Sequence, residues 1–116
     1  MARLATTTDV FNAIAEPQRR RILDLLTEGE QPVGGIVTRL GMPQPLASKH
    51  LGVLRAVRLV QVRRDAQLRL YSLDAAGLRP VHQWLGGFER FWQQSFDRLD
   101  DYLHDLQAKD RHGPRN

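Results

Sequence analysis

Apolar residues recur along the first forty positions with the spacing of short amphipathic helices. A first helix is predicted around Val10 and Ile14, with Asp9 or the preceding threonine, Thr8, as its N-cap. Pro17 suits the first position of a second helix, because a helix's first residue needs no N–H partner. A third helix is predicted over about 33–40, and the second and third helices each end at a glycine. The core stripe of the second helix consists of Ile22, Leu23, Leu25 and Leu26.

The next segment, QPLASKHLGVLRAV over residues 44–57, has two chemically different sides when placed at about 100° per residue. The apolar side comprises Leu46, Ala47, His50, Leu51, Val53, Leu54 and Val57. The other side carries no carboxylate and comprises Gln44, Pro45, Ser48, Lys49, Gly52, Arg55 and Ala56. A solvated helix face, which is the alternative, ordinarily mixes both signs of charge. We therefore expect this side to contact an anionic partner.

Two β-type runs follow in RLVQVRRDAQLRLYSLD, on either side of the turn-like RDAQ. They predict a hairpin over about 59–73 that carries Arg63, Arg64 and Arg69. A helix-turn-helix followed by a basic hairpin is a winged helix, whose second helix enters the DNA major groove while the hairpin reaches backbone or minor groove. The predicted fold class is mainly α with a β-hairpin wing, and the predicted DNA-binding domain spans 9–74.

The C-terminal pattern FERFWQQSFDRLDDYLHDL gathers its large apolar groups within an arc of about 140°. Their steps alternate between four and three residues, as in the seam between two helices. The predicted dimer interface comprises Phe88, Phe91, Trp92, Leu99, Tyr102, Leu103 and Leu106. The alternative is that this helix packs on its own winged domain. Residues 75–108 are thus predicted to form dimerisation helices, with flexible ends at 1–8 and 109–116.

Composition and charge agree with an anionic partner inside the cell. A chain of 116 residues that is 41% hydrophobic suits one small folded domain. Its net charge is +4. Residues 43–74 hold six basic side chains against two carboxylates. The absence of cysteine excludes disulfides and thiolate sites. Because the sequence has no long apolar run and no secretion signal, we expect a cytoplasmic protein without a membrane partner.

Three runs, AEPQRRRILDLL, PLASKHLGVLRAVRLV and RRDAQLRLYSLD, together resemble the ArsR/SmtB family of bacterial winged-helix repressors over about residues 10–106. The ending WLGGFERFWQQSFDRLDDYL resembles a branch of that family without the usual metal sites. The resemblance implies a homodimer that binds a palindromic operator and blocks transcription, and it leaves a small-molecule or protein effector open. It places Gln44, Ser48, Lys49 and Arg55 at the major groove, and Arg63, Arg64 and Arg69 on the wing. The chain departs from the family at Pro43, where serine is frequent, and at Ala66, where the wing turn often has glycine.

Charged residues near the second helix have more than one explanation. Arg19, Arg20 and Arg21 lie in its first turn, where the helix dipole disfavours cations. Either Arg20 pairs with Asp24, or these arginines contact phosphates. His50 lies on the apolar side of its helix, so we predict a packed structural histidine rather than a base-reading one.

Metal sites and catalysis are not expected. The third helix, VGGIVTRL, lacks the cysteines of the family's thiolate sensors, and Asp100, Asp101 and His104 lack the spacing of its other metal site. The sequence also has no phosphate-binding loop or nucleophile elbow. We therefore predict no metal, no cofactor and no enzymatic activity. Two other functions stay open beside a sequence-specific repressor, namely a nonspecific architectural DNA-binding protein and a winged-helix module that binds protein.

Overall fold

The computed structural model describes residues 9–111, with side chains for 9–109. Its contacts divide the chain into two compact units that meet between Val81 and His82 in the sequence. The helices are α1 (Val10–Ile14), α2 (Pro17–Leu26), α3 (Val33–Leu40), α4 (Gln44–Ala56), α5 (Arg79–Gly86) and α6 (Glu89–Arg111). The strands are β1 (Gln31–Pro32), β2 (Val60–Asp65) and β3 (Leu68–Leu73), and a 3₁₀ turn occupies Ala75–Leu78. The predicted class, mainly α with a β-hairpin wing and a long C-terminal helix, is confirmed.

The first two helices begin with side-chain caps. Asp9 caps α1, because its Oδ1 accepts a hydrogen bond from the Asn12 N–H at 2.8 Å. The alternative cap, Thr8, lies outside the described residues. Pro17 is the first residue of α2, as predicted, and the Glu16 carboxylate accepts from the Gln18 N–H at 2.9 Å. These caps satisfy backbone donors that have no partner within the helix.

The three arginines of α2 donate to backbone carbonyl oxygens at the C-terminal ends of two other helices. The bonds are Arg19 Nε to Ala13 at 2.7 Å, Arg20 Nη1 to Ile14 at 2.6 Å and Arg21 Nη2 to Leu40 at 3.0 Å. Helix C-termini carry partial negative charge, so these contacts offset the unfavourable dipole at the start of α2. The ion pair between Arg20 and Asp24, one of the two alternatives, does not form within the described residues. Contact between these arginines and phosphate stays a prediction.

The sheet has the antiparallel order β1–β3–β2. Ala66 and Gln67 connect β2 to β3, and Ala66 has φ of 57°, in the left-handed region that favours glycine. The alanine therefore keeps the backbone geometry of a glycine turn at a steric cost. Strand β1 was not predicted, because two residues are too few to display the alternation of a strand.

The junction between α4 and β2 fixes the hairpin beside the helix. Arg58 has φ of 63°, and the Leu59 N–H bonds back to the Leu54 carbonyl oxygen at 2.8 Å. Gly77 of the 3₁₀ turn approaches Arg58 so closely that a Cβ at this position would collide with the Arg58 carbonyl oxygen. Leu54 and Leu59 are fully buried. The position of the hairpin thus rests on backbone bonds and on core packing.

The hydrophobic core lies in the first unit, between the helices and the inner face of the sheet. Its largest fully buried members are Ile22, Ile36, Leu51, Leu54 and Leu59. The stripe predicted for α2 is buried as expected. Gly41 ends α3 with φ of 66°, which confirms the predicted glycine stop.

The second unit contains most of α5 and the whole of α6. The Phe88 carbonyl oxygen accepts from the N–H groups of Phe91 and Trp92 at 3.0 and 3.1 Å, which starts α6. This helix continues to Arg111, three residues into the segment predicted to be a flexible tail. The other residues of the predicted flexible ends, 1–8 and 112–116, lie outside the described residues. The domain boundary predicted between 74 and 75 stays a prediction. Within residues 9–111, no helix combines the length and apolarity needed to cross a membrane.

Candidate nucleic-acid interface

Helix α4 presents the side that was predicted to face an anionic partner. Every residue of that side, from Gln44 to Ala56, is exposed. On the opposite side, Ala47, His50, Leu51 and Leu54 are buried, as predicted. Leu46 is an exception, because it is 37% exposed rather than part of the core. The helix therefore anchors one side in the core and leaves a carboxylate-free side open.

His50 is held in the protein interior beside an arginine. Its side chain is only 6% exposed, and its Nδ1 lies 3.4 Å from Nη1 of Arg19. Because arginine can only donate, this contact favours a neutral imidazole with Nδ1 as the acceptor. Burial, and secondarily the Arg19 cation, lower the pKa of His50 below its ordinary value of 6.5. The prediction of a packed structural histidine is confirmed.

A cleft of about 350 Å³ separates α4 from the hairpin. It brings together Gln44, Ser48 and Arg69, three of the predicted DNA-binding residues. The other lining residues are Pro32, Val33, Gly34, Gln67, Leu68 and Tyr71. Lys49 and Arg55 are exposed on α4 outside this lining. Hydrogen-bonding and cationic groups from two elements thus border one concave surface.

The hairpin carries its three predicted arginines on two different faces. Arg64 lies directly opposite Arg69 in the antiparallel register, so both project from one face. Arg63 lies opposite Leu70 and projects from the other face. Because Arg69 also lines the cleft, the Arg64–Arg69 face is the one that continues the exposed side of α4.

Arg63 has a carboxylate partner that the sequence did not reveal. Its Nε and Nη2 donate to Oε2 and Oε1 of Glu30, each at 2.8 Å. This bidentate bond lowers the pKa of Glu30 and raises that of Arg63. The two residues are 33 positions apart in sequence, and β1, which brings Glu30 to the sheet, was itself not predicted.

The N-terminus of α4 lacks a side-chain cap. Pro43 occupies the N-cap position and makes no side-chain hydrogen bond. The Pro43 carbonyl oxygen accepts from the N–H groups of Leu46 and Ala47 at 3.1 and 3.0 Å. No side-chain hydroxyl therefore caps this helix. The positive end of the helix dipole is left beside Gln44.

The predicted dimer residues lie on α6 or immediately before it, and all of them are exposed in the single chain. Their side chains are between 40% and 62% exposed: Phe88, Phe91, Trp92, Leu99, Tyr102, Leu103 and Leu106. Phe88 makes an edge-to-face contact with Trp84 at 5.1 Å. From His82 to Lys109, no residue that the structure describes is buried. The apolar stripe of α6 is consequently available to another surface.

No group of three or more potential metal-binding side chains occurs within the described part of the chain. His104, the histidine nearest to the acidic residues of α6, is exposed.

Helices α2 to α4 followed by a basic hairpin define a winged helix-turn-helix protein. Comparison with known proteins leads to the same class. A family model described as "Bacterial regulatory protein, arsR family" matches residues 16–62. Nodulation protein NolR of Rhizobium meliloti is 46% identical over 91 residues, which cover 78% of this chain and 72% of NolR. The transcriptional repressor SdpR of Bacillus subtilis (strain 168) is 35% identical over 80 residues, which cover 69% of this chain and 89% of SdpR.

A solved structure extends the likeness to three dimensions. It is the homodimeric winged helix-turn-helix DNA-binding domain of Mb0332 from Mycobacterium bovis, described as a possible ArsR-family transcriptional regulator. The TM-score is 0.57 at 35% identity, and the match covers 69% of this chain and 77% of that one. The protein belongs to the arsR family of bacterial transcriptional regulators.

Proposed function

We propose that the protein is a homodimeric transcriptional repressor that binds a palindromic operator through α4 and the hairpin. The observation that carries this proposal is the exposed, carboxylate-free side of α4, which borders one cleft with the basic hairpin. Repression, rather than activation, is supported by the similarity to the repressor SdpR. A regulator of bacterial genes acts where the DNA is, so we also propose a cytoplasmic location.

Helix α4 is proposed to enter the major groove and to read bases. Gln44 and Ser48 offer hydrogen-bonding groups beside the cleft, while Lys49 and Arg55 supply cationic donors. Gly52 is open, since a Cβ built there would meet no atom within 4 Å apart from its chain neighbours and its own helix backbone. Small groups at this point allow the helix to approach base edges closely.

The hairpin is proposed to bind phosphate through Arg64 and Arg69. Like charges directly opposite each other in a strand pair repel. Within the described residues, neither arginine forms an ion pair with a carboxylate. A phosphate between the two guanidinium groups would replace this repulsion with two charge-assisted hydrogen bonds.

Helix α6 is proposed to pair with its copy in a second chain. A helix of 23 residues with an exposed apolar stripe leaves several large side chains in contact with water. Burying one such side chain contributes about 1.5–3 kcal/mol. The alternating spacing suits a helix of the same kind, and the related domain of Mb0332 is homodimeric. A two-fold dimer would hold two copies of α4 about 34 Å apart, one turn of DNA.

The test is selection of bound duplexes from random or genomic DNA with the purified protein, followed by titration of the selected duplex and a scrambled one. We expect a palindromic site that binds about 10³-fold or more tightly than the scrambled duplex. Equal affinity for both duplexes would instead indicate an architectural DNA-binding protein. Absence of duplex affinity at low salt would indicate a module that binds protein.

A further inference from the structure

Glu30 precedes β1 and reaches across the sheet to the hairpin. Gln31 and Pro32 of β1 pair with Tyr71 and Leu70 of β3, and Leu70 in turn lies opposite Arg63 of β2. The bond from Glu30 to Arg63 therefore spans the central strand. It connects the two outer strands on the face opposite to Arg64 and Arg69.

The geometry of this ion pair is that of a strong, specific contact. Two nearly parallel N–H···O bonds of 2.8 Å join the guanidinium to the carboxylate. The exposed fractions of the two side chains are 59% for Arg63 and 29% for Glu30. Exposed ion pairs contribute little to folding stability, because water and salt screen them. The larger consequence of this ion pair is electrostatic, because the Glu30 carboxylate neutralises the Arg63 cation of the hairpin.

We propose that Glu30 is a positioning residue that withholds Arg63 from DNA, so that the hairpin binds phosphate through Arg64 and Arg69 alone. This inference rests on the proposed DNA-binding function. Phosphate contacts strengthen binding to every duplex and carry no sequence information. By removing one such contact, Glu30 lowers the affinity for every duplex and makes that affinity less dependent on salt.

The test measures affinity for a scrambled duplex between 50 and 200 mM salt. Glu30→Gln frees the Arg63 cation, so the slope of log affinity against log salt should steepen by about 0.9, the value for one phosphate contact. Affinity for the scrambled duplex should then fall about 3.5-fold more across this range than that of the unmodified protein. The double variant Glu30→Gln/Arg63→Gln should return to the unmodified slope, because the effect acts through Arg63.

Glu28→Gln is the matched control. It removes the same charge two residues earlier, from an exposed pair with Arg39 at 2.9 Å. Its salt slope should equal that of the unmodified protein. The midpoints of thermal unfolding of all four proteins should agree within a few degrees, since only exposed ion pairs are changed.

Three results would overturn the inference while leaving DNA binding intact. They are an unchanged slope in Glu30→Gln, an equally steep slope in the double variant, and an equal steepening in Glu28→Gln. An unmodified protein without affinity for any duplex would overturn the proposed function as well, so the two failures can be told apart.

Discussion

His50 couples the proposed recognition helix to the rest of the fold through the Arg19 side chain. Arg19 also donates from Nε to the Ala13 carbonyl oxygen at 2.7 Å, so one guanidinium touches α1 and α4. A protonated imidazole would place a second cation against Arg19 in a buried site. The neutral form is therefore part of the folded structure.

Stability should depend on pH through His50. Its pKa is lowered in the folded protein, so below its ordinary pKa of 6.5 the unfolded chain binds the proton more readily. The stability that neutral His50 contributes is fully present above pH 6.5 and is lost as the pH falls through the pKa of His50 in the folded protein. Urea unfolding between pH 5 and 8 should show this loss, with a slope of at most about 1.4 kcal/mol per pH unit for one proton. His50→Gln should flatten the dependence, whereas His104→Gln, at an exposed position, should keep it.

The wing turn offers a second test at single-residue scale. Ala66 has a positive φ, and Gln67 beside it does not. Ala66→Gly should raise the free energy of unfolding by about 0.5–1 kcal/mol, because glycine adopts this conformation without a Cβ clash. Gln67→Gly is the control and should lower the free energy of unfolding. Glycine at this position gives the unfolded chain more conformational freedom but relieves no backbone strain in the folded protein. Stabilisation by both substitutions, measured by chemical denaturation, would show that φ at Ala66 is not the cause.

The environment of a single residue could be predicted from the sequence where the periodicity of one element was sufficient. The burial of His50 followed from its place on the apolar side of α4. The Glu30–Arg63 pair could not be anticipated, because it depends on the pairing of β1 with β3 across distant parts of the chain. The carbonyl partners of the α2 arginines were not anticipated for a similar reason, since they belong to other helices.

At the scale of elements, α4 should determine sequence specificity. Replacing Ser48 or Arg55 by Ala should cost about 1–3 kcal/mol of discrimination between a selected operator and scrambled DNA, if each residue contacts a base. Arg90→Ala, at an exposed cation of α6, is the control for loss of charge and should preserve discrimination. Competition titrations measure this ratio. Unchanged discrimination in both α4 variants would remove this helix from base reading.

The elements themselves were largely predictable, and the exceptions have physical causes. The cap of α1, the proline that begins α2, the apolar stripe of α2 and the glycine that ends α3 are signals that a sequence displays. The stop predicted at Gly29 was displaced, because α2 ends at Leu26. Leu46 was assigned to the core from its angle alone, but it lies in the first turn of α4, where 37% of it is exposed. The face on which each hairpin arginine projects required the strand register, which the turn at Ala66 fixes.

At the scale of the whole molecule, the apolar stripe of α6 should hold two chains together. Leu99→Asp places a charge in the centre of this stripe, whereas Gln94→Asp places the same charge outside it. We expect Leu99→Asp to be monomeric and to bind the operator about 100-fold more weakly or worse, because two half-sites are no longer bound together. Gln94→Asp should stay dimeric. Far-ultraviolet circular dichroism should show a folded winged domain in both, since Leu99 contributes nothing to the core.

The most direct test of the account is the mass of the protein and of its operator complex by sedimentation. At micromolar concentration the free protein should have twice the 13.3 kDa of one chain. The complex with a selected palindromic duplex should contain two chains per duplex. A free protein with the mass of a single chain, or a specific complex with one chain per duplex, would contradict the proposal of a two-fold dimer on a palindromic operator.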